Sequence, residues 1–273
     1  MGLNPIEYRP WQGQRSQHAR RFLVIADSIL RHNLKSKWFL AVLIIGTFLA
    51  FALNIIFTSI SPHESLTAEL MASQMSNALF YIFMVILVSM VCSDLLAEDM
   101  RSNSLVLYLS RALRPEGYML GKLVGAFITL AIFALFPPII LAIAVTATQS
   151  GPDYLASAEV ILETVVAGLW ATFFLIPIGL MLSSLTSRRT YAAVGTFMVF
   201  FVLGIISGIF VEFDANWQLL DPGSVQAMTM NVIYGLGLPE QIDVWLFGAA
   251  VFAFTIPPLV LVYWRILRRG VGK

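Results

Sequence analysis

Residues 92–127 have the sequence CSDLLAEDMRSNSLVLYLSRALRPEGYMLGKLVGAF and separate two uncharged apolar runs, residues 79–91 and 123–145. The segment carries eight charged side chains: Asp94, Glu98, Asp99, Arg101, Arg111, Arg114, Glu116 and Lys122. Charged side chains are costly inside a bilayer, so this segment is expected to be a connection outside the membrane between two spanning helices. A polar connection of this size is a place where a soluble partner could push on a membrane protein.

The rest of the chain is strongly apolar. Of its 273 residues 58% are hydrophobic and 12% are charged, whereas soluble domains carry about 25% charged residues. A hydrocarbon core of about 30 Å requires about 20 apolar residues per helix. Six stretches meet this requirement: residues 38–57, 70–91, 123–145, 164–182, 191–211 and 244–266. The sequence therefore predicts an all-α polytopic membrane protein with six transmembrane helices in a single domain, residues 20–273.

The distribution of charge predicts the orientation. With six spans, both termini and two connections lie on one side, and that side carries all 17 Lys and Arg residues. The other side carries ten of the sixteen Asp and Glu residues. Because positive charge accumulates on the inner face of a membrane, we expect both termini in the cytoplasm and the chain in the cytoplasmic membrane.

Two segments outside the spans have a helical pattern. Residues 1–19 are polar and predict a cytoplasmic tail, whereas in residues 20–35 apolar side chains recur at helical spacing opposite a polar face. That pattern favours an amphipathic helix in the membrane interface, with a simple lead-in to the first span as the alternative. Residues 212–243 mix apolar side chains with Gly and Pro, which indicates short helices on the extracytoplasmic side, packed on the spans.

Polar side chains also occur in the outer half of the predicted second span. They are Ser73, Gln74, Ser76 and Asn77. Polar groups at that depth face another helix or a cavity. Two interpretations remain open: these side chains line a transport path, or they hydrogen-bond helices together.

Several chemistries are excluded. All three histidines, His18, His32 and His63, lie outside the predicted spans, and no span has an ionisable residue near its centre. Residues 117–123, GYMLGKL, lack the spacing and the hydroxyl residue of a Walker A loop. We therefore expect no catalytic, cofactor-binding or metal site here, and no ATP hydrolysis by this chain.

The central connection resembles that of type-2 ATP-binding-cassette (ABC) permeases, whose connection between spans two and three is similar to E-x-x-x-G-T-L-x-x-L-L-S-x-P-x-S-R-x-x-x-x-x-G-K. Here residues 98–122 are EDMRSNSLVLYLSRALRPEGYMLGK. The matching residues are Glu98 or Asp99, Leu105, Leu109, Ser110, Arg111, Arg114, Gly121 and Lys122. Asn103 and Ser104 replace Gly-Thr, and Pro115 is displaced from the usual proline position.

The resemblance implies the fold of a type-2 ABC exporter and a permease that works with a separate ATPase subunit, which would bind the ATP. Residues 94–118 would be the coupling segment, with the ATPase contact made by Asp94, Glu98, Asp99, Arg101, Leu105 and Arg111. The permease would pair with a second copy or a sister permease through the first and fifth spans.

Two alternatives stay open beside this implied function. The connection could be a solvated loop that only obeys the charge rule, and the protein could be a membrane-embedded scaffold or enzyme without an ATPase. Besides the protein partners, the chain is expected to contact the lipid bilayer, and no nucleic-acid partner is expected.

Overall fold

The computed structural model describes residues 21–52, 67–102, 115–148 and 154–270, and these residues form no strand. The helices are α1 (Arg21–Lys35), α2 (Lys37–Thr47), α3 (Thr67–Met75), α4 (Ala78–Arg101), α5 (Pro115–Thr148), α6 (Tyr154–Leu185), α7 (Arg189–Phe210), α8 (Pro222–Ile233) and α9 (Val244–Gly270). A π-helical turn, Phe48–Ala52, extends α2, and a 3-10 helix, Ala215–Leu220, precedes α8. The predicted all-α class is confirmed.

Five of these helices, α4, α5, α6, α7 and α9, are long and apolar enough to cross a membrane. The pair α1 and α2 bends by 77° at Ser36 and raises the number to six when it is counted as one broken span. Ser36 caps α2 by accepting a hydrogen bond from the Phe39 amide at 3.4 Å, which lets the chain turn there. The prediction of a polytopic membrane protein is confirmed.

The core of the bundle is formed by α4, α5 and α6. Within their apolar windows 61%, 50% and 61% of residues are buried, against 17% in α7 and 11% in α9. A close approach holds α6 on α4, because a Cβ at Gly179 would lie 2.9 Å from both Val88 Cγ1 and Cys92 Cβ. The α2 end joins this core through the rings of Phe51, Phe80 and Phe133, whose centroids are 5.6–6.0 Å apart.

The predicted second span, residues 70–91, is wrong at its outer end. A separate short helix, α3, ends at Met75, and α4 begins after Asn77, whose side chain accepts a hydrogen bond from the Leu79 amide at 2.8 Å. An Asn side chain in this position satisfies a free amide at the start of a helix, so the polar residues mark a helix boundary. At the other end, α4 continues beyond Val91 to Arg101.

The helix predicted over residues 20–35 is present as α1, and its apolar face packs on α5. Ala26 and Ile29 are buried. A Cβ at Gly121 would lie 2.9 Å from the Phe22 carbonyl oxygen, and one at Gly125 would lie 2.7 Å from Ile29 Cδ1. The two glycines thus allow the close contact, and α5 fills the face that an isolated amphipathic helix would turn to lipid.

Residues 212–243 contain short helices that cover the end of the bundle where α4 begins, called the outer end after the predicted orientation. The opposite end, where α4 terminates, is called the inner end. Asp214 and Asp221 cap the 3-10 helix and α8 through their carboxylates. The Tyr234 hydroxyl donates to Thr164 Oγ1 at 2.9 Å and ties α8 to α6. Burial raises the pKa of the Tyr234 hydroxyl to about 12, so this group remains a donor at physiological pH.

Candidate functional site

The charged residues at the inner end of α4 lie on the same helix as the apolar span. The helix ends at Arg101, where the Ser102 amide and hydroxyl both donate to the Glu98 carbonyl oxygen, at 2.9 and 2.8 Å. Asp94, Glu98, Asp99 and Arg101 therefore belong to the spanning helix itself. Of the other predicted coupling residues, Leu105 and Arg111 lie outside the described residues.

Asp99 is a brace between α4 and α5. Its Oδ2 lies 2.7 Å from Lys122 Nζ and accepts a hydrogen bond from the Tyr118 hydroxyl at 2.5 Å. The two charged side chains are only 15% and 12% exposed. This carboxylate is therefore bonded within the chain, and only a small part of it is accessible to a partner protein.

Asp94 performs a similar role toward α7. Its Oδ1 lies 2.8 Å from Arg189 Nε, and the two side chains are 23% and 57% exposed. In the sequence Arg189 is only one of the 17 cations on one side, whereas the structure makes it the partner of a predicted coupling residue. The start of α7 is thereby attached to α4.

Glu98 and Arg101 form the exposed tip of α4. They pair with each other at 2.8 Å, and their side chains are 48% and 66% exposed. An exposed pair of this kind contributes at most about 1 kcal/mol to folding. These two side chains can therefore exchange their mutual pairing for contacts with a partner protein at a small cost in free energy, unlike Asp94 and Asp99.

An open cavity of about 390 Å³ with a mixed charged and apolar wall lies beside this tip, where α1, α4, α5 and α7 converge. Its charged and titratable lining is His32, Asp94, Glu98, Asp99, Lys122 and Arg189. The three acids of the wall belong to α4, whereas Lys122 belongs to α5 and Arg189 to α7. A shift of one of these helices therefore changes which charges are paired. The cavity links the tip of α4 to the amphipathic helix α1.

A buried serine joins the inner part of α4 to α6, and sequence reasoning missed it. The Ser183 hydroxyl accepts hydrogen bonds from the Leu96 and Ala97 amides at 3.2 and 3.1 Å, and it donates to the Ser93 carbonyl oxygen at 3.1 Å. It thus inserts into the backbone ladder of α4, a known cause of helix bending. The only sequence signal is its position four residues after Gly179, which places two small residues on one helix face.

The four residues of the predicted path have different surroundings. Ser73 is exposed, Ser76 donates to the Ala227 carbonyl oxygen at 3.3 Å, and Asn77 caps α4. Gln74 differs, because its side chain is 7% exposed and its Oε1 has no hydrogen-bond partner within the described ranges. Gln226 of α8 is also buried with an unpartnered Oε1, and sequence reasoning did not find it.

No group of three or more His, Cys, Asp or Glu side chains that could hold a metal ion occurs in the described parts of the chain. The chemistry available at the inner end of α4 is that of charged contacts on a stiff helix.

Comparison with models of protein families gives a match over most of the chain. A family model described as "ABC-2 family transporter protein" matches residues 23–271, which is nearly the whole chain. A search of curated proteins finds no match. The matched range includes most of α1, the inner end of α4 and the outer helices.

Proposed function

The chain belongs to the ABC-2 family of transporter proteins, and we propose that it moves a substrate across the cytoplasmic membrane with energy from ATP hydrolysis on a separate ATPase subunit. It is a multi-pass membrane permease of an ABC transporter. The observation that supports the ATPase partnership is the continuity of α4, which runs without interruption from Ala78 to the exposed charges at Glu98 and Arg101.

The braces around this tip suggest how movement would spread. A force on the tip of α4 acts on α5 through Asp99 and Lys122, and on α7 through Asp94 and Arg189. It acts on α6 through the Ser183 hydroxyl. Packed helices joined in this way move between discrete arrangements rather than deforming continuously. ATP-driven closure of the ATPase would thus reach the whole bundle through one contact.

The permease is expected to pair with a second copy or a sister permease. Among the five long helices, α7 and α9 have the smallest buried shares, so their apolar surfaces are available to lipid or to a second permease. The predicted interface of the first and fifth spans corresponds to α2 and α7. This pairing would place two α4 tips beside two ATPase subunits.

Purification of the tagged chain from native membranes in a mild detergent tests the proposal. We expect an ATPase subunit with a Walker A loop to copurify, together with two permease copies per complex. Recovery of the chain without any ATPase, in the presence of ATP and magnesium, would contradict the proposal and favour a scaffold or an enzyme without an ATPase partner.

Thiol labelling tests the orientation separately. In a Cys92→Ala background, a cysteine at the exposed Glu240 should react with an impermeant reagent from outside, and a cysteine at the exposed Arg188 only from inside. This follows from the location of all 17 cations on one side. The reverse pattern would show that both termini lie outside.

A further inference from the structure

Another cavity, of about 350 Å³, lies between the outer part of α4 and α7, below the N-terminus of α8. Its wall is predominantly apolar and includes four aromatic side chains, Tyr81, Phe197, Phe200 and Phe201. One charged group, the Asp221 carboxylate, also lines it. The volume is within the range of sites that bind small organic molecules.

The aromatic rings are held in two pairs. Tyr81 and Phe200 meet edge to face with centroids 6.2 Å apart, and Phe197 stacks on Phe201 at 6.1 Å. The face of an aromatic ring attracts a cation, most strongly where water is excluded. A cavity with several such rings therefore favours a positively charged organic group over a neutral or negative one.

The charge of Asp221 is not neutralised. Its oxygens accept hydrogen bonds from the Gly223 amide at 3.0 Å and from the Ser224 amide and hydroxyl, both at 2.9 Å. These donors are neutral, and Asp221 takes part in no ion pair in the described residues. The surrounding segment, residues 212–243, contains no Lys or Arg. A negative charge therefore remains at the edge of the cavity.

Two further details keep this end of the cavity open and polar. A Cβ at Gly204 would lie 3.5 Å from Asp221 Oδ1, so the glycine leaves the carboxylate uncovered on the α7 side. The Tyr81 hydroxyl is buried and has no hydrogen-bond partner in the part of the chain that the structure describes. A buried hydroxyl of this kind normally finds a partner, and a ligand in the cavity would supply one.

We propose that this cavity binds a lipophilic organic cation. The positive charge lies against Asp221 and the aromatic faces, and the apolar body fills the remainder between α4 and α7. A lipid acyl chain would use only the apolar wall, and an anionic amphiphile would be repelled by Asp221. Binding to the permease alone does not depend on ATPase docking, whereas a role for the bound cation as transport cargo rests on the proposed function.

The test uses two probes of nearly equal shape and opposite charge, tetraphenylphosphonium and tetraphenylborate. The full chain is placed in phosphatidylcholine nanodiscs, and saturable binding is measured against empty nanodiscs. We expect saturable binding of the phosphonium cation and none of the borate anion. Equal binding of both ions, or binding of neither, overturns the proposal, since the cavity would then hold lipid chains or a second permease copy.

Variants locate the bound cation. Asp221→Asn retains a good helix cap and should weaken phosphonium binding at least about tenfold. The matched control, Asp214→Asn, alters another outer capping acid that is absent from the cavity wall and should leave binding unchanged. Phe201→Leu should weaken binding about threefold, whereas Phe210→Leu should not. Equal effects of Asp221→Asn and Asp214→Asn overturn the assignment of the site.

Discussion

The polar groups around the two ends of α4 are satisfied in opposite ways. At the inner end each acid has a cation within 2.8 Å: Asp94 with Arg189, Glu98 with Arg101, and Asp99 with Lys122. At the outer end the Asp221 carboxylate has only neutral partners, and the buried polar atoms Gln74 Oε1, Tyr81 Oη and Gln226 Oε1 have none within the described ranges.

This difference indicates what each end is suited to do. Paired charges on adjoining helices fix the inner end of α4 relative to its neighbours, so a force on the tip moves α4, α5 and α7 together. Unpaired polar atoms at the outer end lack an internal partner, and such atoms are costly unless water or a ligand completes their hydrogen bonds. We therefore expect loss of a nearly buried charge pair at the inner end to affect folding, and substitutions at the outer end to affect binding.

The largest loss of stability is expected for Lys122→Met. It removes the ammonium group that pairs with the nearly buried Asp99 carboxylate, and breaking a buried pair from one side costs about 3 kcal/mol. The unfolding temperature in detergent should fall by roughly 5–10 °C. A thiol-reactive dye can follow unfolding, because Cys92 is the only cysteine and is fully buried.

The control for this prediction is Arg101→Met, which removes the cation of the exposed pair and should cost at most about 1 kcal/mol. Similar unfolding temperatures for the Lys122→Met and Arg101→Met variants would show that Asp99 is not a brace.

A smaller loss is expected for Ser183→Ala. The hydroxyl makes three hydrogen bonds to the α4 backbone, and its removal should cost about 1–2 kcal/mol. The variant should also couple ATP hydrolysis to substrate less tightly, because α6 would no longer follow α4. Ser184→Ala is the control, since Ser184 is equally buried but donates to Met181 within its own helix. Equal behaviour of the two variants would rule out the proposed role of Ser183.

The comparison predicts little or no loss of stability at the outer end. Gln74→Leu replaces an unpartnered buried amide with an apolar group, and the unfolding temperature should stay the same or rise slightly. If Gln74 lines the path, substrate-stimulated ATP hydrolysis by the complete transporter should change, and the exposed control Ser73→Ala should not. A fall in unfolding temperature as large as that of Lys122→Met would show that the Gln74 amide has a partner and that the two ends of α4 do not differ.

Hydropathy alone was sufficient for the class of fold and the approximate spans, because the requirement for about 20 apolar residues is set by the bilayer. It failed at the start of α4, since the short helix α3 is apolar enough to extend the hydrophobic window through Met75. The break depends on the Asn77 cap. Of the polar residues that suggested a transport path, Asn77 instead marks the boundary between α3 and α4.

The site was harder to predict than the fold. The sequence located the charged end of α4, but it could not separate Asp99, which is held by Lys122 and Tyr118, from Glu98, its exposed neighbour. Adjacent residues on a helix point in different directions, and which direction is buried depends on where α5 returns. The role of Ser183 depends on how α6 packs on α4, and its only sequence signal is the small residue Gly179 four positions before it.

The most direct test of the central claim is ATPase binding by Glu98→Lys. Glu98 is exposed, so reversal of its charge should change the unfolding temperature by little. The matched control is Asp27→Lys on α1, which disrupts an exposed pair with Arg31 of the same kind on the same side. Both variants, and the unmodified chain, are purified from native membranes, and the copurified ATPase is quantified for each.

We expect Glu98→Lys to lower the amount of copurified ATPase at least about tenfold, because a reversed charge at a docking surface costs several kcal/mol. Asp27→Lys should retain the full amount. If the Glu98→Lys protein is folded and retains its ATPase at the unmodified level, the tip of α4 is not the docking surface.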